Sequence, residues 1–266
     1  MKAWKAVAGL LVVQAVIAGA YWITSGESSK PVPTGKPTRV PEGEQWVDLL
    51  DAEHAPLWKN VSDEADIFEI VDGMLHIYGV TVSPLRYVGY TGEMLGNFDL
   101  HIEYMLTPRA NSGIFIRKQP DDDVMRGFEI QVLDDFGDAP TRNTSGAIYD
   151  VVTPMFNLSR PAGEWNSFDI AVREQQVIVY HNGWMILYTD IGLMDTPLGK
   201  FEYAFKDLPL TGMLALQDHG GEAWYRNIRV QHFKKDAVPE PEPAPEAAPE
   251  TPAEPAPAAV VDGPLP

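Results

Sequence analysis

Apolar and polar residues alternate with a period of two through most of the middle of the chain. The runs FDLHIEYML (98–106), GIFIR (113–117), FEIQVL (128–133), FDIAVR (168–173), VIVY (177–180), WMILY (184–188), MLALQ (213–217) and WYRNIRV (224–230) alternate or are rich in β-branched and aromatic residues. That is the pattern of half-buried strands. Asp72-Gly73 joins DIFEIV to MLHIYG, and Asn182-Gly183 joins VIVYH to WMILY. Each pair predicts a two-residue hairpin, because a type I′ turn needs positive φ at both central residues. No long amphipathic helix and no internal repeat interrupts these runs. Many short strands with frequent turns predict an all-β fold, an antiparallel β-sandwich or jelly roll.

The flanks follow different rules. Lys2 and Lys5 precede an apolar run from Ala6 to Ile23 that only Gln14 interrupts. As a helix it would rise roughly 27 Å, just short of a bilayer core of about 30 Å. Ala18-Gly19-Ala20 reads as a signal-peptide cleavage site. Tyr21 and Trp22 read equally as interfacial aromatics closing an uncleaved anchor. Both readings place the remainder outside the cytoplasm, in the periplasm or at the cell surface, with membrane attachment only if the segment is not cut. Residues 24–44 are rich in Pro, Ser and Gly and form a linker. Residues 237–266 hold 10 of the 23 prolines and six acids without a base, the composition of a solvated, extended tail whose protein partner, if any, the sequence does not name. One domain is expected over 45–236, long enough for a full core.

The chain has 38 acidic and 20 basic residues, a formal charge of −18 and no cysteine. Disulfides, thiolate metal sites and cysteine nucleophiles are excluded, and phosphate backbones would be repelled, so nucleic acid is not an expected partner. No GxSxG elbow, Walker loop or dinucleotide fingerprint is present.

Chemistry is sought on strand faces. Alternation places Ile114 and Ile116 on one face, with Phe115 and Arg117 on the other; Phe128, Ile130 and Val132 oppose Glu129 and Gln131. If the two strands are neighbours, an aromatic ring, a guanidinium, a carboxylate and an amide share one surface. That surface suits a sugar, which offers hydroxyls and C–H faces, or it is a solvated face with an ion pair. In ALQDHGGEAWYRN (215–227), Gln217, Asp218 and His219 end a strand at Gly220-Gly221. His219 can exchange protons near neutral pH or simply cap a turn. Asp218, His219 and Glu129 could share a divalent cation in space, although no ligand spacing demonstrates one. A long loop over 144–168 carries Tyr149, Asp150, Asn157 and Trp165, for recognition or as corner packing.

Taken in order, these segments resemble the 3-keto-disaccharide hydrolase family, also catalogued as domain of unknown function 1080. The matching blocks are WVDLL from Trp46, VDGML (71–75), NSGIFIR (111–117), GFEIQVLDD (127–135), SGAIY (145–149), RPAGEWN (160–166), NG (182–183) and LQDHGG with WYRNIR (216–229). The resemblance runs from about Gln45 to Phe233. It implies a concanavalin-like double sheet whose one face binds carbohydrate, with Arg117, Glu129, Gln131, Asp218 and His219 at positions kept polar. EIQVLD is also similar to the E-x-D-x-x-E strand of laminarinase-type glucanases, but Gln131 and Asp134 stand where two acids would be. A retaining glycosidase needs two carboxyls about 5–5.5 Å apart, so a different route is implied: cleavage of 3-keto-glycosides by proton removal at C2, elimination at C1 and hydration. On that implication Glu129 and His219 form the acid/base pair and Asp218 orients His219 or ligates a cation. Arg117 or that cation stabilises the enolate, while Gln131, Gln217, Tyr149 and Phe115 hold the sugar. The alternative is a lectin-like, non-catalytic carbohydrate-binding surface module.

Overall fold

A computed structural model describes residues 40–43, 45–80, 83–119 and 126–233. The leader over 1–23, most of the linker over 24–44 and the tail over 237–266 lie outside the described residues. Thirteen strands form among them: β1 (Val47–Asp48), β2 (Trp58–Asn60), β3 (Phe68–Val71), β4 (Met74–Ile77), β5 (Arg86–Tyr90), β6 (Asn97–Leu106), β7 (Asn111–Lys118), β8 (Phe128–Leu133), β9 (Asn166–Arg173), β10 (Gln176–His181), β11 (Trp184–Asp190), β12 (Met213–Asp218) and β13 (Ala223–Phe233). They make two antiparallel sheets. The larger runs β11-β10-β9-β6-β13-β4-β3 with β1 also on β13, and the smaller runs β2-β5-β12-β7-β8.

The expected sandwich is present, and its period-two logic explains the core. From the larger sheet Phe98, Leu100, Ile102 and Tyr104 of β6 and Phe168, Ile170 and Val172 of β9 point inward. Ile114 and Ile116 of β7, Phe128, Ile130 and Val132 of β8 and Leu214 and Leu216 of β12 meet them from the smaller sheet. Both hairpin turns form as expected: φ is 51° at Asp72 and 73° at Gly73, and 49° at Asn182 and 83° at Gly183. Each joins antiparallel neighbours, β3 to β4 and β10 to β11.

The smaller sheet positions the polar cluster. β7 and β8 are neighbours, with Phe115 opposite Glu129 and Gly113 opposite Gln131. On β12, Ala215 pairs with Phe115 and with Gly89, and Gln217 pairs with Tyr87. Tyr87, Phe115 and Ala215 form a small apolar cluster of their own on the face turned away from the main core. The free edge of β8 is covered by the loop that follows it. Gln131 donates its N–H to the Ala147 carbonyl (3.1 Å) and Tyr149 its N–H to the Glu129 carbonyl (2.9 Å). That pairing delivers Tyr149 beside Glu129.

Candidate active site

The outer face of the smaller sheet carries a carboxylate that no described hydrogen bond satisfies. Glu129 is 7% exposed. It lines a narrow cavity of about 20 Å³ with Leu85, Tyr87, Phe115, Lys200, Phe201 and Gln217. Its position depends on Gly113: a Cβ there would overlap the Glu129 carboxylate, so the carboxylate lies over the bare backbone of β7. Burial pushes the Glu129 pKa up to about 8, opposed by the Lys200 ammonium. A carboxyl in that state exchanges its proton near neutral pH, as a general acid or base must.

A short relay stands beside it. Gln131, two residues along β8 and so about 7 Å away on the same face, donates from Nε2 to Asn111 Oδ1 at 3.0 Å. Asn111 Nδ2 lies 2.7 Å from His219 Nδ1, and its backbone N–H bonds the Gly220 carbonyl at 3.0 Å. With the Asn111 oxygen taken by Gln131, its amide nitrogen donates to His219 Nδ1, which leaves the ring proton on Nε2. Burial, and secondarily Lys200, hold the His219 pKa below its usual value against the opposing pull of Asp218. His219 is therefore neutral at pH 7 and presents an N–H.

Gln217 and Phe115 also line this cavity. Gln217 is buried, with Nε2 3.4 Å from the Tyr87 hydroxyl, and Phe115 meets Tyr87 edge-on at 4.9 Å between ring centres. Tyr149 is half-buried, and its ring receives Lys200 Nζ at 4.4 Å.

Two residues depart from the expected arrangement. Arg117 does not share the face with Phe115. Between the Ala215–Phe115 and Met213–Lys118 pairs β7 holds one residue more than β12, and Arg117 is at this bulge with φ 59°. An inserted residue breaks the alternation, so the Arg117 side chain turns away and its Nη2 donates to the Glu174 carbonyl on the β9–β10 turn. It is fully buried, and burial pulls its pKa down to about 10. Lys118 takes the vacated place, with Nζ 5.8 Å from the Tyr87 ring centre. Asp218 follows the parity of Leu216 rather than Gln217. Its carboxylate accepts the Val80 N–H at 3.2 Å and the Gly220 N–H at 3.4 Å, fixing the turn that carries His219 rather than the ring itself. Among the described residues no three His, Asp or Glu side chains gather as metal ligands, so the sharing of an ion by Asp218, His219 and Glu129 is not seen.

Asp134 is also outside the cluster, its carboxylate accepting the Arg109 N–H at 2.7 Å. Trp165 is on the other side of the molecule, under the Arg226 guanidinium at 3.9 Å. The site instead includes Tyr87, Asn111, Lys118, Lys200 and Phe201, which sequence reading did not select. Asn111 opens the NSGIFIR block and could have been chosen on that ground; Lys200 lies in a segment with no strand period and no motif.

The family of 3-keto-alpha-glucoside-1,2-lyase-like domains matches residues 45–231. The chain belongs to that family. A 3-keto-disaccharide hydrolase of Bacteroides thetaiotaomicron is 29% identical over a 170-residue alignment that covers 51% of this chain and 58% of the relative. A similar β-sandwich fold appears in two crystal structures of candidate glycosyl hydrolases from Parabacteroides distasonis. One has a TM-score of 0.61 at 22% identity, covering 71% of this chain and 99% of the other. The second has a TM-score of 0.60 at 23% identity, covering 73% and 98%.

Proposed function

We propose that this protein is a carbohydrate-active hydrolase or lyase that cleaves 3-keto-glycosides by elimination and hydration. The observation that carries the reading is Glu129, a buried carboxyl whose pKa burial pushes up to about 8, on the strand whose Gln131 leads through Asn111 to a histidine held as an N–H donor. Among the described residues no second carboxylate lines the Glu129 cavity, as a retaining glycosidase would need. A ketone at C3 removes that need, because it acidifies the proton on C2.

In the proposed course, the ionised Glu129 takes the C2 proton and the bonding pair moves into C2–C3, placing the charge on the C3 oxygen. Return of that pair re-forms the ketone and a C1=C2 double bond while the C1–O bond breaks. His219 Nε2–H donates a hydrogen bond to the departing oxygen; a neutral imidazole can act as an electrophile in this way. Water then adds its hydroxyl at C1, the proton it releases neutralises the departed oxygen, and Glu129 returns a proton to C2. Gln131 positions His219 through Asn111, and Gln217, Tyr149 and Phe115 hold the ring of the sugar. Its hydroxyls would meet the amides and its C–H face the aromatic ring. We further propose export, supported by the lysines and apolar run of residues 2–23.

The test is turnover by the purified protein of a 3-keto-disaccharide and of its unoxidised parent, with and without chelator. Cleavage of the keto compound alone is expected, and Glu129→Gln abolishes it with folding intact. Binding without cleavage of either compound would replace this reading with the lectin-like one.

A further inference from the structure

The proposed reaction places negative charge on the C3 oxygen, and Arg117 is turned away from the place where that charge would form. A cation from a different part of the chain, Lys200, lines the cavity instead. The segment from Pro197 to Ala204 closes on itself through a bridge between those two residues and lies across the site. Asp150 holds it at one point, accepting the Lys200 N–H at 2.7 Å. Tyr203 holds it at another, its hydroxyl donating to the Gly127 carbonyl at 3.0 Å. Phe201, Tyr203 and Phe205 pack as a ring cluster, with centres 5.1–5.6 Å apart. The strap thus sets Lys200 and Phe201 into the wall of the cavity that holds Glu129.

We infer that Lys200 is a further catalytic residue, whose ammonium, carried over Glu129 by this strap, stabilises the oxygen at C3 of a 3-keto sugar as the C2 proton leaves. This rests on the reaction proposed above. The geometry favours it on two counts. The C3 oxygen is two bonds from the carbon that loses the proton, so a cation serving it must stand beside the base, and Lys200 and Glu129 line the same cavity. The ammonium is also not locked in an ion pair: it is seated over the faces of Tyr149 at 4.4 Å and Phe201 at 6.0 Å, from which an oxyanion can draw it at small cost. The strap must lift for entry, since about 20 Å³ is far below the range of about 300–1,000 Å³ usual for small-ligand pockets. Closure then brings the cation to a bound substrate.

Lys200 also opposes the burial that raises the Glu129 pKa. The other charged or titratable groups around that carboxyl are Tyr87 on β5, Lys118 on β7, His219 after β12 and Tyr225 on β13 behind the sheet; of these His219 also feels Lys200, which helps to hold its pKa down.

The test compares the wild-type protein with Lys200→Met and Lys200→Arg on two probes. One is a 3-keto-disaccharide. The other is a 3-keto-1,5-anhydro-glucitol, which can lose its C2 proton but has no leaving group at C1, so deuterium exchange at C2 reports enolate formation alone. Lys200→Met is expected to lower kcat about 10²–10³-fold and to slow exchange to match, with KM nearly unchanged. It should also move the rising limb of the pH profile, set by Glu129, to higher pH. Lys200→Arg should recover part of both rates. Wild-type rates of exchange in Lys200→Met, with cleavage intact in the wild type, would overturn the role of Lys200 and leave the reaction standing. Absence of both cleavage and exchange in the wild type would overturn the two together.

Discussion

The outer faces of the two sheets use their charged groups in opposite ways. On the larger sheet they answer one another. Arg226 Nε is 2.6 Å from Glu103, Arg173 Nη2 is 2.8 Å from Asp99, and Arg229 Nη2 is 3.4 Å from Asp48. His76 stands between Glu69 at 3.2 Å and Glu222 at 3.0 Å. His101 is bonded to Asp169 at 2.6 Å; although burial opposes it, the hydrogen bonds and charges of Asp169 and Glu103 raise its pKa to about 9. On the smaller sheet Glu129 is buried without such a partner, and its pKa moves the opposite way from that of a paired acid: Glu103 is held down at about 2 by His101 and Arg226. Paired charges hold the strands of the larger sheet in place. The unpaired carboxyl leaves a proton free to move, which is the property a catalyst needs.

Four substitutions test this contrast, the largest effect first. Glu129→Gln should lower kcat on a 3-keto-disaccharide by about 10³-fold or more with unchanged near-ultraviolet circular dichroism; retained turnover would remove Glu129 from the chemistry. Gly113→Ala should fold with little change in Tm, because only the end of the Glu129 side chain has to move, yet lose about 10²-fold in kcat as the carboxylate leaves its place. Asn111→Ala should cost about 10–10²-fold through misdirection of His219, measured with the same substrate. His101→Asn should leave kcat intact and cost about 1–3 kcal/mol of stability by urea unfolding at pH 6.

The pH dependence of stability separates the same two faces. Glu129 has a folded pKa of about 8, above its unfolded value of about 4.3. The native state therefore holds a proton that the unfolded chain releases, and Glu129 lowers stability progressively as pH rises through about 4.3 to 8. Glu129→Gln should flatten that slope and be the more stable protein at pH 9. His101, with a folded pKa of about 9 against about 6.5 unfolded, contributes stability that is whole below pH 6.5 and lost as pH rises through 9. His101→Asn should thus cost most at pH 6 and least at pH 9.5, the same direction as Glu129→Gln but over a window that lies at higher pH.

Much of the fold was legible because period-two alternation reports directly on which side chains meet the core. FEIQVL corresponds to β8 residue for residue, and both hairpin dipeptides adopt the positive φ their turns demand. The neighbour relation of β7 and β8, needed to bring Phe115 and Glu129 together, was conditional in the sequence and present in the structure. β5, with Gly89 in its middle, was too short and irregular to register, and with it went Tyr87. The site was legible only in part, for a physical reason. Alternation is a local rule, and the β7 bulge breaks it at Arg117 without any glycine or proline to signal the break. A lysine delivered from a strap some seventy residues beyond Glu129 depends on tertiary contacts with Asp150 and Gly127, which no periodicity encodes. The roles of Asp218 were likewise set by the parity of β12 and the approach of Val80, not by its adjacency to His219.

The most direct measurement is incubation of the purified protein with a 3-keto-disaccharide and, separately, with the same disaccharide unoxidised, products followed by mass spectrometry in D2O. The account predicts release of both sugars from the keto compound only, with one deuterium at C2 of the 3-keto product. Equal cleavage of the unoxidised disaccharide, or cleavage without deuterium at C2, would contradict it.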